Sequence, residues 1–286
     1  MLDESPEDMY ASLPDALQAK LARCRDIIQS FGRVVVAFSG GVDSTLLLAL
    51  SAEALGPDDV LAAVGVSASL PASELDDARS IAGHLGVRLV EVPTCELDDP
   101  DFASNPPDRC FYCKQELLGR LGAVARAEGF EQVVTGANFD DLGDLRPGLL
   151  AGEKMGAANP LMEAALTKQE IRAAAAARKL PNWDKPAYAC LASRIPYGQD
   201  VTPERLARIE RAEEAMHQMG FADCRVRDHG EVARIEVAPA AIAQAVELRG
   251  RIVEALKDAG YAYVALDLAG YRTGSMNETL KDEQPD

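Results

Sequence analysis

The 286-residue sequence predicts an α/β protein: a doubly wound parallel sheet followed by a smaller C-terminal α+β unit. Three observations predict it. Short apolar, β-branched runs alternate with helical patterns, the order that right-handed strand–helix–strand crossovers require. The first run, Val34-Val35-Val36-Ala37-Phe38, is apolar at every position, as in a strand covered on both faces. It leads into Ser39-Gly40-Gly41-Val42-Asp43-Ser44-Thr45, a glycine turn that opens a helix. The composition, 48% hydrophobic and 26% charged, is globular and excludes disorder for most of the chain.

The elements follow in order. Residues 14–31 read as an amphipathic helix, with Leu17, Leu21, Cys24, Ile28 and Phe31 on one stripe and Gly32 at its end. Cys24 lies on that stripe and reads as core. After the first strand and its glycine turn, Leu46 to Leu50 continue a helix, and Val60 to Val66 form a second strand. Pro71 to Leu85 read as a helix packed through Leu75, Ala78, Ala82 and Leu85, ended by Gly86. Val87 to Val92 are a third strand. Residues 93–109, rich in Asp and Pro, read as a long loop, and a helix runs from about Lys114 to Glu128. Val133 and Val134 lead a strand into Thr135-Gly136-Ala137-Asn138. Thr167-Lys168-Gln169-Glu170 is a capping box for a helix stopped at Pro181. Residues 1–185 are read as the first domain, with Trp183 packed near its end, and 186–286 as the second. In the second, Thr202 and Pro203 suit the start of a helix ending near Gly220. Two strands, Cys224 to Arg227 and Arg234 to Val237, flank an Asp228-His229-Gly230 turn, with Cys224 facing the core. A helix from about Pro239 to Ala259 and a strand Tyr263 to Leu268 complete the unit, and the polar tail from Thr279 reads as frayed.

Charge narrows the function classes. Twenty-nine basic against 46 acidic residues give −17, a field that disfavours a nucleic-acid polymer as partner. No apolar run approaches the ~20 residues that span a bilayer, so no membrane association is expected. The acidic start MLDESPEDMY has no signal-peptide pattern, and a cytoplasmic location is expected. In a reducing compartment six cysteines do not imply a disulfide framework. Cys110 and Cys113 alone form a Cys-x-x-Cys pair, a first sign of metal or redox chemistry.

The glycine turn suits an anion. Its glycines admit a close backbone approach, the helix start supplies N–H donors, and Ser39 and Ser44 add hydroxyls. It lacks the Gly-Lys-Ser/Thr ending of the common P-loop. Asp43 reads either as a phosphate- and Mg²⁺-positioning carboxylate or as a first-turn acid that favours the helix dipole.

The string Ser-Gly-Gly-Val-Asp-Ser resembles the pyrophosphate loop of the PP-loop ATP pyrophosphatases. Three further strings sharpen the resemblance: Asn105 to Lys114 (NPPDRCFYCK), Thr135 to Gly148 (TGANFDDLGDLRPG) and Ala189 to Gly198 (ACLASRIPYG). Together with Arg225-Val226-Arg227 and Ala233 to Val237, they resemble the LarE family of sulfur transferases over most of the chain. The resemblance implies that ATP adenylates the carboxylates of a pyridinium dicarboxylate mononucleotide. Sulfur then displaces AMP to give thiocarboxylates for a nickel-pincer cofactor. It implies ATP and Mg²⁺ held by Ser39, Gly40, Gly41, Asp43, Ser44, Thr45 and Gly136, with Arg194, Arg225 and Arg227 lining the phosphate-rich substrate site.

The resemblance also frames the sulfur source. Some members carry one cysteine, at the position of Cys190, and sacrifice its sulfur. Others carry three, at the positions of Cys110, Cys113 and Cys190, all present here. Three thiolates can hold three irons of a 4Fe–4S cluster and leave the fourth free for an extra sulfide, which is the expected arrangement. Structural zinc with His84, His217 or His229 as fourth ligand, a Cys110/Cys113 redox dithiol and sacrifice of Cys190 stay open. Cys95 lies outside the motif. Arg109 could stabilise a thiolate or bind phosphate. Asp140, Asp141 and Asp144 suit Mg²⁺, substrate or loop capping. The resemblance further implies a homo-oligomer and a downstream nickel-insertion protein as partners, besides the small nucleotide substrate. Another PP-loop activity, tRNA thiolation or ammonia-dependent synthesis, is the competing reading, and a non-catalytic nucleotide sensor a third.

Overall fold

The computed structural model describes residues 9–143, 147–186 and 189–272. The described chain divides into two compact units, one from residues 1–96 and 108–188, the other from 97–107 and 189–286.

The first unit is built on a four-stranded parallel sheet. After helix α1 (Asp15–Ser30) come β1 (Val34–Ala37), α2 (Val42–Leu55), β2 (Val60–Val66), α3 (Ala72–His84) and β3 (Arg88–Pro93). A later helix, α5 (Arg109–Glu128), precedes β4 (Gln132–Thr135). The order is β3-β2-β1-β4, with Val34 in register with Val60 on one side and Gln132 on the other. The chain winds outward from β1 through β2 to β3, then returns to place β4 on the opposite side of β1. The crevice at the carboxyl ends of β1 and β4 is thus the topological switch point, where open parallel sheets bind ligands.

Alternate side chains of β1 feed separate cores, which explains its uninterrupted apolar run. Val34 and Val36 pack with Leu21, Ile28, Leu47 and Leu50 on one face. Val35 and Ala37 pack with Leu118 and Leu121 of α5 on the other. Helix α2 is buried at every position from Ser44 to Ser51, so it is a core helix with no polar face. Short helices α6 (Pro147–Lys154) and α7 (Pro160–Glu163) lead to α8 (Lys168–Ala177), whose capping box is formed by Thr167 and Glu170.

The second unit takes its first segment from the stretch after β3, including the short helix α4 (Pro100–Ala103). Buried Asn105 ties that segment to the later chain through its side-chain N–H groups, donated to the carbonyls of Ile195 and Pro196. Helix α9 (Pro203–Gln218) precedes a three-stranded sheet of β5 (Cys224–His229), β6 (Val232–Val237) and β7 (Tyr263–Leu266), with α10 (Ile242–Glu247) and α11 (Arg249–Asp258) between β6 and β7. β5 and β6 are antiparallel, β6 and β7 parallel. One sheet face carries Cys224, Val226, Ile235 and Val237 into a core with Met216, Ile252 and Leu256. By the twofold alternation of strands, Arg225, Arg227, Arg234 and Glu236 occupy the other face.

Four expectations change. The expected loop 93–109 contains α4 and ends where α5 begins, at Arg109, so Cys110 and Cys113 stand in the first turns of a helix. Pro106 and Pro107 mark the true boundary, and nothing after them resists helix formation. The buried stripe of α3 is Glu74, Ala78, Ile81 and Ala82, which leaves Leu75 and Leu85 half-buried. The expected helix 239–259 breaks at Leu248, which ends α10 and precedes α11, with poorly helical Gly250 just beyond. Trp183 is 45% exposed rather than packed. The polar tail from Thr279 lies outside the described residues.

Candidate nucleotide site

The glycine turn joins the end of β1 to the start of α2, and its hydroxyls brace it internally. The Ser39 and Ser44 hydroxyl oxygens lie 3.1 Å apart, and the Ser44 hydroxyl also donates to the Gly41 carbonyl at 3.0 Å. Gly40 sits at φ +70°, a backbone region that side chains resist. Across the switch point, a Cβ on Gly136 would stand 2.9 Å from the Ser44 backbone nitrogen. Glycine there lets the end of β4 close onto the α2 N-terminus. The first N–H groups of α2, left without helical partners, face this crevice as anion donors.

A cavity of about 370 Å³ opens at this point. Ser39, Gly41, Asp43 and Ser44 line it from the loop, and Thr135, Gly136 and Ala137 from β4. Cys110, Lys114 and Leu118 line it from α5, and Gly148 and Leu149 from α6. Cys110, Lys114 and Leu118 recur every four residues, so one face of α5 forms this wall. Cys113 follows Cys110 by three residues and stands beside it on the helix surface; it is partly exposed and Cys110 is exposed. The volume lies within the range of small-ligand sites.

Asp43, Asp141 and Lys114 line the cavity, and Lys168 pairs with Asp43. Asp43 Oδ2 accepts from Lys168 Nζ at 2.5 Å, while its buried Oδ1 has no hydrogen-bond partner among the described residues. Burial pushes the Asp43 carboxyl above the usual carboxylate range, and the Lys168 hydrogen bond and charge only partly offset this. Asp141, 8% exposed, also lines the cavity, and its Oδ2 accepts from the Asn138 N–H at 2.9 Å. Asp140 Oδ2 accepts from the Lys168 backbone N–H at 2.8 Å, which joins this turn to the start of α8. Asp144 lies outside the described residues. Lys114 and Lys168 escaped the sequence analysis. Lys168 looked like one member of a capping box, and Lys114 like the residue after a cysteine motif. Only the spacing of Lys114 from Cys110 on one helix could have shown that it shares the cavity wall.

The second unit presents Cys190 differently. Cys190 precedes a 3-10 turn (Leu191–Arg194) and is partly exposed. Arg194, where the sequence predicted a phosphate contact, is 0% exposed and organises this segment instead. Its Nε and Nη2 donate to the two Glu213 carboxylate oxygens at 2.9 and 2.8 Å. Its Nη1 donates to the carbonyls of Ala189 and Cys190 at 2.6 and 3.1 Å and to Ser193 Oγ at 2.9 Å. Burial opposes the Glu213 charge, yet Arg194 and the Val226 N–H outweigh it and hold this carboxyl below its ordinary range. Arg227 donates to Glu236 Oε2 at 3.0 and 2.7 Å and to the Ser193 carbonyl at 2.9 Å. Arg225 lies over the Tyr271 ring at 4.8 Å and is 7% exposed, as is Arg227. Of the predicted residues, Ser39, Gly41, Asp43, Ser44, Gly136 and Cys110 thus meet around one cavity, whereas Gly40 and buried Thr45 are not among its lining. Cys190, Arg194, Arg225 and Arg227 belong to the other unit. Among the described residues no group of three His, Cys, Asp or Glu side chains is gathered to hold a metal ion. Cys24 and Cys224 are core thiols, each pushed up to about 12 by burial, and Cys95 is exposed.

A parallel sheet that presents a glycine turn, a helix N-terminus and a carboxylate–lysine pair at its switch point defines a nucleotide-binding α/β protein of the PP-loop class. Residues 13–103 match the NAD synthase family. An NH₃-dependent NAD⁺ synthetase of Chlorobaculum tepidum is 37% identical over 76 residues, 27% of each chain. Two similarities span nearly the whole length. An uncharacterized protein of Synechocystis sp. is 41% identical over 266 residues, 92% of this chain and 99% of that one. The pyridinium-3,5-bisthiocarboxylic acid mononucleotide synthase of Lactiplantibacillus plantarum is 38% identical over 268 residues, 94% of this chain and 97% of that one. The chain belongs to the LarE family, to which that synthase belongs, and is an enzyme of the ATP-using PP-loop class. No helix among the described residues is long and apolar enough to cross a membrane.

Proposed function

We propose that the protein is an ATP-dependent sulfur transferase acting on pyridinium-3,5-biscarboxylic acid mononucleotide, with a 4Fe–4S cluster held by Cys110, Cys113 and Cys190. The observation that carries this reading is that Cys110 lines the same cavity as the glycine turn. Sulfur chemistry and ATP chemistry then share one chamber.

The cavity suits Mg-ATP. Hard cations take oxygen ligands, and Asp43, with a buried oxygen unpartnered among the described residues, and Asp141 supply them. Mg²⁺ would neutralise charge on the transferring phosphates. Ser39, Ser44 and the α2 N-terminus bind and orient the pyrophosphate, while Lys114 and Lys168 supply positive charge beside it. A substrate carboxylate oxygen attacks the α-phosphorus, the bond to the β-phosphate oxygen breaks, and pyrophosphate leaves. Sulfur then attacks the acyl carbon, and AMP departs with the former carboxylate oxygen.

The thiols fit a cluster in donor type. When bound, it would supply a sulfide on the iron left without a cysteine. Cys110 and Cys113 would anchor it from α5, and Cys190 from the segment ordered by Arg194. Arg225 and Arg227 would hold the substrate's phosphate, because guanidinium geometry suits phosphate. The protein would work as a homo-oligomer in the cytoplasm and pass its thiocarboxylates to a nickel-insertion protein.

The test is anaerobic iron–sulfur reconstitution followed by an ATP-dependent assay with the dicarboxylate mononucleotide and excess inorganic sulfide, which replaces the sulfur lost in each turnover. Thiocarboxylate formed over many turnovers with Cys190 intact is expected. Pyrophosphate release without thiocarboxylate rejects the proposal. One turnover that leaves dehydroalanine at position 190 replaces the cluster with the sacrificial route.

A further inference from the structure

A second set of contacts holds the pyrophosphate loop from outside the cavity. Asn182 is 7% exposed, and its side-chain amide donates to the Gly40 carbonyl at 2.8 Å and to Thr45 Oγ1 at 2.9 Å. One amide therefore grips the loop at its positive-φ glycine and again in the first turn of α2. These are the two ends of the stretch whose N–H groups must converge on a phosphate.

The segment that carries Asn182 is itself tied down. Arg172, on α8, donates to the Trp183 carbonyl at 3.1 Å and to the Lys185 carbonyl at 2.8 Å. Lys185 Nζ reaches Glu74 at 2.9 Å and Asp77 at 2.7 Å, both on α3. Residues 181–185 have no regular secondary structure of their own that would account for so many anchors. We infer that this segment is a strap that braces the pyrophosphate loop, and that Asn182 is its positioning residue.

The physical role is preorganisation. Gly40 has no side chain to restrict its backbone, and a free glycine turn samples many states. If only a fraction of molecules holds the loop in its anion-binding form, apparent ATP affinity falls by that fraction. The Asn182 amide raises the fraction before ATP arrives. Once pyrophosphate is bound, its contacts hold the loop by themselves. The strap therefore acts on nucleotide binding more than on the bond-breaking step. This inference rests on the ATP-dependent reading above.

The experiment is steady-state pyrophosphate release with ATP varied at saturating carboxylate substrate, in wild type, Asn182→Ala and Asn182→Asp. Asn182 also borders a cavity of about 380 Å³, so truncation enlarges a space already present rather than creating a sealed void. Asn182→Ala is expected to raise KM for ATP about 10-fold, with kcat within about threefold of wild type. KM for the carboxylate substrate should not change. Asn182→Asp keeps the shape but sets a buried carboxylate against the Gly40 carbonyl oxygen, and is expected to raise KM for ATP further. If Asn182→Ala does not fold, the Asp variant carries the test. A KM for ATP equal to wild type in folded variants overturns the inference, as does a fall in kcat with KM unchanged. Wild-type protein that releases no pyrophosphate fails the functional reading instead.

Discussion

Charge is handled in opposite ways at Asp43 in the first unit and at Arg194 and Asp228 in the second. In the first, Asp43 is half-buried beside the cavity, with one oxygen bonded to Lys168 and the other, itself buried, unpartnered among the described residues. In the second, Arg194 is buried more completely, yet its guanidinium is spread over Glu213, two carbonyls and a hydroxyl. Asp228, 0% exposed, likewise accepts from Arg205, Arg208, Tyr261 and the Gly230 N–H. Burying a charge is costly unless its hydrogen bonds are met. A saturated network meets that cost within the protein and fixes a loop. An unfinished one leaves a valence for a ligand to complete. Satisfaction of polar atoms, more than burial itself, separates Arg194 and Asp228 from Asp43.

The largest expected effect breaks a saturated network. Arg194→Ala leaves Glu213 buried without its cation and should cost about 3–5 kcal/mol in urea unfolding. A loss below about 1 kcal/mol would remove the scaffold role. Asp43→Asn should do the reverse: stability within about 1 kcal/mol of wild type, but pyrophosphate release lowered at least about 100-fold. A large melting shift without loss of activity would place Asp43 in the scaffold.

Asp228 sharpens the contrast through pH. Burial opposes its charge, but the Arg205 and Arg208 hydrogen bonds outweigh this and depress the carboxyl. Its contribution is present above the unfolded carboxylate value of about 3.9 and is lost as pH falls through the lower folded value. Asp228→Asn should therefore cost about 2–3 kcal/mol at neutral pH, with the difference from wild type shrinking below about pH 4 in urea titrations. A difference independent of pH would show that the carboxylate charge is not what matters. The smallest effect is expected at Lys168. Lys168→Gln removes a charge beside the cavity but keeps a donor, and should slow pyrophosphate release about 10-fold with little change in stability. Unchanged release would leave Lys168 as a partner of Asp43 alone.

Much of this was legible in the residues, and the rest failed for identifiable reasons. The apolar run at Val34 to Ala37 announced a doubly covered strand because period-two alternation is absent when both faces are buried. The Gly-Gly turn announced an anion site because only such backbones approach phosphates closely. Arg194 misled because a lone arginine in a motif looks the same whether it meets a phosphate or a buried glutamate. The sequence pattern put the helix start at about Lys114 and not at Arg109, which left Cys110 and Cys113 outside it, because the prolines before them concealed that start. Asn182 gave no signal at all, since one amide in a short polar segment has no pattern.

Local sequence by itself determined the strand and helix order, the glycine turn and the thiols, because each depends on backbone preference and the spacing of neighbours. Only the tertiary structure decided that β4 lies beside β1, that Cys110 faces the turn's cavity, that Lys168 meets Asp43 and that Asn182 grips Gly40. Those contacts join residues 66 to 142 positions apart, where no local rule operates and chain packing alone sets the distance.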